Sequence, residues 1–343
     1  MCEAPASEAA RIRIPLGQAY LNVDTGVSGK TFRAMGTPSL GRVLSSALGA
    51  VADPSMPGRS LADSWDDGDL YALGSGSDYT AFIDHLGIPS LDMAFWPGAA
   101  YGVYHSVFDS FEWMDSVGDP GFKYHVAMAQ VWGLVALRLA GTGTMPAALR
   151  AAGSSAPSSS VIPFNLTLQA EAIGTYISEA KARPNGTRVD FAALDAAHAK
   201  FESAARQAMR EEEQALAVAA KAARKARVVA ASVPNEGGAA ASEGADGREE
   251  RSRLAAVVTS LNERLAYTER RFLSPLGLPG RKYFQHVLQA PGLYTGYAPK
   301  TLPGVYDAVS AGDWATANAQ AAVAAQRIEA AAAFLGGGSE PSV

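Results

Sequence analysis

Apolar and polar positions change rhythm along this chain of 343 residues. Near the start, AYLNVD (Ala19 to Asp24) is an apolar run closed by a polar residue, and the following TGVSGK is rich in turn formers. That combination predicts a buried strand whose carboxyl end delivers Asp24. Ligands of open α/β sheets gather at such strand ends. After Thr37-Pro38, SLGRVLSSALGAV has helical spacing, with Thr37 as the expected N-cap. LGSGSDYTAFIDHLG (Leu73 to Gly87) predicts a glycine-rich turn entering a short helix, capped by Ser77 or Asp78. IPSLDMAF (Ile88 to Phe95) predicts another strand, and a strong helix is expected from Asp119-Pro120 to about Leu139. HVAMAQVWGLVALRLAG (His125 to Gly141) is the most apolar long stretch. It carries Gln130 and Arg138 and is shorter than the roughly 20 residues a bilayer span needs, so a buried core helix is expected.

The rhythm changes near Gly141. GTGTMPAALRAAGSSAPSSS is rich in Ala, Gly, Ser and Pro and is expected to be a mobile insertion. From Val161 onward the spacing is almost wholly helical, with helices expected at 165–183, 189–228, 248–273 and 313–335. Leu254, Val257, Val258, Leu261 and Leu265 form one apolar stripe. VPNEGGAAASEGADGREE (Val233 to Glu250) is polar and of low complexity, so disorder is expected there, as is a frayed tail at GGGSEPSV. The expected fold class is therefore α/β followed by all-α. A partial α/β layer occupies 1–145, an insertion 146–160, and a helical bundle 161–337, interrupted at about 233–250.

Composition narrows the function classes. A net charge of -5 gives no electrostatic footprint for nucleic acid. The single cysteine, Cys2, excludes an internal disulfide framework and a cysteine-rich zinc site. MCEAPASEAARIRIP lacks the continuous apolar region of a signal peptide, so the chain as written is expected to be soluble. Two glycosylation sequons, Asn165-Leu-Thr and Asn185-Gly-Thr, are short patterns that arise easily by chance. Candidate chemistry centres on YGVYHSVFDSFEWM (Tyr101 to Met114), which sets His105 among tyrosines and acids. A lone histidine in such a setting is more often structural than a ligand, and an aspartate after a strand is commonly a turn or cap residue. No HExxH, His-x-Asp pair or GxSxG elbow is present, and GSGS (Gly74 to Ser77) lacks the P-loop lysine.

Taken together, LNVDTGVSG, LADSWDD, LGSGSDYTAFIDHLGIPSLDMAF, YHSVFDSFEWMDSVGDPGFKYHVAMAQVWG, TERRFLSPLGLPGRKYFQHV and LPGVYDAV, in that order, carry a more specific signal. They resemble the glutamate carboxypeptidase II and transferrin receptor family, whose members join a two-zinc peptidase domain to a helical dimerisation domain. The resemblance implies that Asp24 ligates one zinc ion and His105 the other. Tyr104 would hydrogen-bond the tetrahedral intermediate through its hydroxyl. Zinc takes His and carboxylate ligands and polarises a scissile carbonyl, and a nearby phenol acts as an oxyanion donor. Asp109, one helical turn beyond His105, is either a support for this ligand set or a helix N-terminal acid.

Gly76, Ser77 and Tyr297 would border the substrate. Ser77 stands where acid-specific members have Asn, and Gly296-Tyr297 where a Lys-Tyr pair grips the terminal carboxylate. Asp92 and Ala94 occupy the places of two arginines. These departures imply an exopeptidase broader than one for poly-acidic peptides. The family's remaining ligands and its glutamate base lie upstream of the position of Asp24, where this chain has no histidine, no aspartate and only the separated Glu3 and Glu8. The expectation is the C-terminal portion of a zinc-dependent exopeptidase, inactive as this isolated chain. The alternative is a non-catalytic receptor-like or scaffold protein that dimerises through its helices. Homodimerisation, a peptide substrate and membrane anchoring with a lumenal or extracellular orientation are implied by the family alone, and no anchor segment is expected within these 343 residues.

Overall fold

A computed structural model describes residues 19–65, 70–97, 102–140, 161–232, 245–294 and 296–338. The insertion expected at 146–160 lies outside the described residues, as does the 233–244 part of the second one. Three strands form one sheet. β1 (Tyr20–Asn22) pairs in parallel with β3 (Ser90–Trp96), and β2 (Thr31–Gly36) pairs antiparallel with the other edge of β3. Every residue of β3 except Trp96 is buried, which accounts for its unbroken apolar run. β2 was not anticipated from the sequence. Its TFRAMG alternates, burying Phe32 and Ala34 and exposing Thr31 and Arg33, but it directly follows a glycine-rich turn and is only six residues long.

Helices α1 (Gly41–Leu48) and α4 (Lys123–Leu139) pack together against this layer. Between them lie two short helices, α2 (Leu61–Ser64) and α3 (Phe111–Trp113). Phe95 of β3 meets the rings of Phe32 and Tyr124 edge-on, at centroid separations of 5.7 and 5.0 Å. Thr37 does not cap α1, since a turn at Pro38–Leu40 intervenes, and its Oγ1 instead accepts the backbone N–H of Ser90 at 3.0 Å. Neither Ser77 nor Asp78 caps the next helical segment, a wide turn at Ala81–His85 entered from Thr80. α4 begins at Lys123 rather than Asp119. Asp119 Oδ2 accepts the N–H groups of Tyr124 and His125, and His125 Nδ1 lies 2.8 Å away. The expectation that α4 is a buried core helix holds for one face only. Tyr124, Ala127, Met128, Val131 and Val135 are buried, whereas Val126, Trp132 and Leu137 are exposed. Among the described residues no helix is long and apolar enough to cross a membrane.

The second half is helical: α5 (Leu166–Ala182), α6 (Ala192–Ser232), α7 (Ala245–Tyr267), α8 (Pro303–Ala311) and α9 (Trp314–Leu335). α6 rises about 60 Å at 1.5 Å per residue. Its buried Ala197, Ala205 and Ala208 face an α9 that buries Ala317, Ala321, Ala324 and Ala331. Such small side chains let the two axes approach closely, with Phe201 and Ile328 supplying bulk. α7 starts at Ala245, three residues ahead of the expected start at 248 and within the segment where disorder was expected, and it ends at Tyr267 rather than at 273. Its buried stripe is Val258, Leu261 and Leu265, while Val257 is half exposed. α8 was not anticipated. One continuous hydrophobic core runs through both halves. Polar contacts reinforce the seam: Asn165 N–H donates to the Ser39 carbonyl, and Arg42 reaches both the Phe164 carbonyl and Glu212.

Asp84 sits in the seam between the sheet layer and the segment that follows α7. It is fully buried, neither carboxylate oxygen has a hydrogen-bond partner among the described residues, and its own carbonyl accepts the Gln285 N–H. Burial pushes its pKa up from 3.8 to about 8, and only the charge of Arg281 opposes this. Below the unfolded-state pKa both states hold the proton and no penalty arises. Between about pH 4 and 8 the unfolded chain releases a proton that the folded chain keeps, so Asp84 lowers stability progressively over that window. Asp84→Asn is expected to raise the melting temperature at pH 8 by roughly 5 °C and to leave it nearly unchanged at pH 4. Thermal melts of both proteins at the two pH values check this.

Candidate functional site

A cavity of about 540 Å³ opens at the carboxyl end of β1. Parallel pairing of β1 with β3 places Asn22 beside Asp92, and the chain then leaves the sheet at Asp24. The cavity is lined by Asp24, Thr25, the turn residues Gly74, Gly76 and Ser77, Asp92, Trp96, Tyr104 and the Tyr297–Pro299 stretch. It therefore brings together Asp24, Tyr104, Gly76, Ser77 and Tyr297, which are far apart in sequence. His105 and Asp109 are not among the lining residues. The loop carrying them is exposed, His105 has φ 58°, and its ring stacks on that of Tyr104 at 3.8 Å. No helix links His105 to Asp109. α3 begins later, at Phe111, with Ser110 as its cap, so Asp109 lies in the loop directly ahead of that cap and not one helical turn beyond His105.

A polar network missed in the sequence holds the cavity floor. Asn22 is buried and its Nδ2 donates to Asp92 Oδ1 at 2.7 Å and to Ser77 Oγ at 3.1 Å. Asn22 Oδ1 accepts the Tyr20 hydroxyl at 3.2 Å. Burial raises the pKa of Asp92, and the Asn22 hydrogen bond partly offsets the rise. Tyr79 Oη accepts the Gly76 N–H at 3.1 Å, and burial pushes that phenol's pKa up too. Asparagine after an apolar strand carries no signal of its own, and only the strand pairing reveals its role.

Arg33 is the second omission. It borders a smaller annex of about 230 Å³ that shares Met35, Asp92, Trp96 and Pro299 with the main cavity. Its guanidinium lies 5.7 Å from the Trp96 ring centroid. In the sheet register Arg33 stands directly opposite Ala94. Asp92 and Ala94 leave β3 without a cation, and the neighbouring strand supplies one at the same level. The alternation of TFRAMG would have exposed this arginine had β2 been recognised.

The opposite wall comes from the helical half. β4 (Gln289–Pro291) pairs antiparallel with β5 (Pro299–Thr301), and the loop between them carries Tyr297. Ser75 N–H donates to the Tyr297 carbonyl at 3.1 Å. A Cβ on Gly74 would lie 1.8 Å from that same oxygen, so only glycine admits this approach. Behind the hairpin, Gln289 Oε1 accepts the Leu73 N–H at 3.2 Å. Buried His286 accepts the N–H groups of Leu288 and Gln289 at Nδ1, which leaves its proton on Nε2 facing Glu269 Oε1 at 2.9 Å.

Residues 189–336 match the family model of the transferrin receptor-like dimerisation domain. A probable glutamate carboxypeptidase of Arabidopsis thaliana is 33% identical over 296 residues, covering 85% of this chain and 35% of the relative. The chain belongs to the glutamate carboxypeptidase II and transferrin receptor family. An aminopeptidase of Rattus norvegicus is 28% identical over 92% of the chain, and a Schizosaccharomyces pombe protein named an inactive zinc metalloprotease is 23% identical over 86%. The chain spans only 35% and 40% of the length of the first two relatives.

The donor set among the described residues does not fit the zinc that the family resemblance implies. Among the described residues no group of three or more His, Cys, Asp or Glu side chains could hold a metal. Asp24 is exposed, and among the described residues its carboxylate accepts from the Thr25 hydroxyl alone, at 3.3 Å. Even a catalytic zinc site takes three protein ligands. Gly74→Ala is expected to destabilise the chain by about 1–3 kcal/mol, the cost of overpacking a close approach. Thermal melting would register the loss, with hydrogen exchange accelerating first in residues 293–298.

Proposed function

We propose that the chain forms the substrate-pocket and dimerisation portion of a zinc-dependent exopeptidase of this family, and that these 343 residues alone hydrolyse no peptide bond. The observation that carries this reading is the cavity itself. One wall is the carboxyl end of a parallel-paired strand, and the other is a hairpin from within the matched dimerisation domain. In this reading the sheet layer belongs to the peptidase domain. Asp24 and His105 are each one ligand of a zinc pair whose other ligands lie outside this chain. With that set incomplete, no catalytic step is assigned. Tyr104 is half exposed and lines the cavity, which supports a role for its hydroxyl as donor to a developing oxyanion. Gly76, Ser77 and Tyr297 border the peptide. Asp109, exposed in the loop of His105, supports that loop rather than the substrate.

Substrate preference follows from charge. Arg33 offers one cation to a substrate carboxylate, and among the lining residues there is no second cation to receive another. A peptide with at most one acidic group at that position suits the site better than a poly-acidic one. A second reading, a non-catalytic scaffold, is favoured by the incomplete donor set and by the relative named inactive. Both readings share a homodimer built through the helical domain.

The deciding experiment measures zinc content and peptide hydrolysis on one purified sample. Fewer than one tightly bound zinc per chain and no hydrolysis are expected. Two zinc ions per chain with chelator-sensitive hydrolysis would overturn the proposal. Sedimentation equilibrium on the same sample is expected to give twice the chain mass of 35.6 kDa, and a monomer at micromolar concentration would remove the dimer from both readings.

A further inference from the structure

The two Asn-x-Thr sequons differ in structure as they do not in sequence. Asn165 is the N-cap of α5. Its Oδ1 accepts both the N–H of Thr167 at 3.0 Å and the hydroxyl of Thr167 at 2.6 Å. The sequon's own threonine is thereby folded back onto its asparagine. Asn165 is only partly exposed, its N–H is bound to the Ser39 carbonyl, and the following Leu166 is buried at the seam between the two halves. An oligosaccharide there would have to leave from a capping side chain wedged between packed elements.

Asn185 is the opposite case. It stands at the outer bend of the turn between α5 and α6, exposed, with φ 62° and ψ 14°. Asparagine tolerates this left-handed conformation better than most residues. Among the described residues its side chain caps nothing, and Thr187 is exposed beside it. The middle residue must be small for a separate reason: a Cβ on Gly186 would meet the Lys181 carbonyl oxygen at 2.4 Å. The turn backbone is held without help from either sequon side chain, through Gly186 N–H to the Arg183 carbonyl, Arg188 N–H to the Asn185 carbonyl and Asp190 N–H to Asn318 Oδ1. Among the described residues, the turn's hydrogen bonds use neither sequon side chain, and both residues are exposed.

We infer that Asn185, and not Asn165, is an N-glycosylation site. The co-reactant is a lipid-diphosphate-linked oligosaccharide. The Asn185 Nδ2 forms a bond to the sugar's anomeric carbon, whose bond to the diphosphate oxygen breaks. The lipid diphosphate leaves with that electron pair, and one amide proton passes to a base on the transferase. The modification places the α5–α6 turn, and with it the helical half, on the side of a membrane where that donor is presented.

The test uses the chain purified from its own source. It is digested, treated with peptide N-glycosidase in heavy-oxygen water and sequenced by mass spectrometry. The expected result is Asn185 converted to aspartate carrying heavy oxygen, with Asn165 unchanged. Spontaneous deamidation of Asn185-Gly186 before the enzyme step carries ordinary oxygen and is thereby told apart. Asn185 bare, whether or not Asn165 is occupied, overturns the proposal. Thr187→Ala, which leaves the turn's backbone bonds intact, is expected to abolish the glycan mass completely, and Thr167→Ala is expected to remove none of it. Retention of the glycan in Thr187→Ala would also refute the assignment.

Discussion

The hydrogen bond from the Leu73 N–H to the Gln289 carboxamide fastens the two walls of the cavity to each other. It is buried and links residues 216 positions apart. On one side it fixes the entry to the glycine-rich turn. On the other it fixes β4, and β4 sets the hairpin that carries Tyr297. Gln289 is itself placed by His286, whose ring is oriented by Glu269. A buried network of this kind acts as a unit, because leaving any member unpaired in a low-dielectric interior carries a desolvation cost. The cavity is thus a joint between two layers of secondary structure, and its shape depends on how they dock.

Much of the fold was legible because long periodic segments announce themselves. Helices at Leu166–Ala182, Ala192–Ser232 and Trp314–Leu335 lie close to where the spacing put them. The central strand was legible from its unbroken apolar run. β2, the β4–β5 hairpin and α8 were not, since each is short and takes its stability from partners distant in sequence. Caps failed for a related reason. Thr37 and Ser77 have the right chemistry, yet tertiary partners, the Ser90 N–H and the Asn22 side chain, claim their hydroxyls. Of the residues singled out through the ordered motifs, Asp24, Tyr104, Gly76, Ser77 and Tyr297 line one cavity, and His105 and Asp109 do not. Asn22 and Arg33 escaped notice because their positions acquire meaning only once β1 and β2 are paired with β3.

Charge at the site is divided between two strands. The central strand places a buried acid at Asp92 and a small residue at Ala94, and a neighbouring strand returns a single cation, Arg33, to the same level. In the proposed reading, a lone guanidinium on an aromatic face, with no second cation among the lining residues, pairs one negative group and would leave any further one unpaired. Specificity of that sort arises from an unfavourable desolvated pairing as much as from attraction.

The long separation between Leu73 and Gln289 also sets a clock on biogenesis. At about 5–20 residues per second, a ribosome needs roughly 10–40 s to add the intervening segment. Through that interval the three-stranded sheet can assemble, but its seam with the helical half stays uncovered and its cavity has a single wall. Contacts this non-local close late and slowly. The nascent chain must therefore shield an apolar surface for tens of seconds, which makes its yield in a cell sensitive to chaperone supply and to the pace of translation.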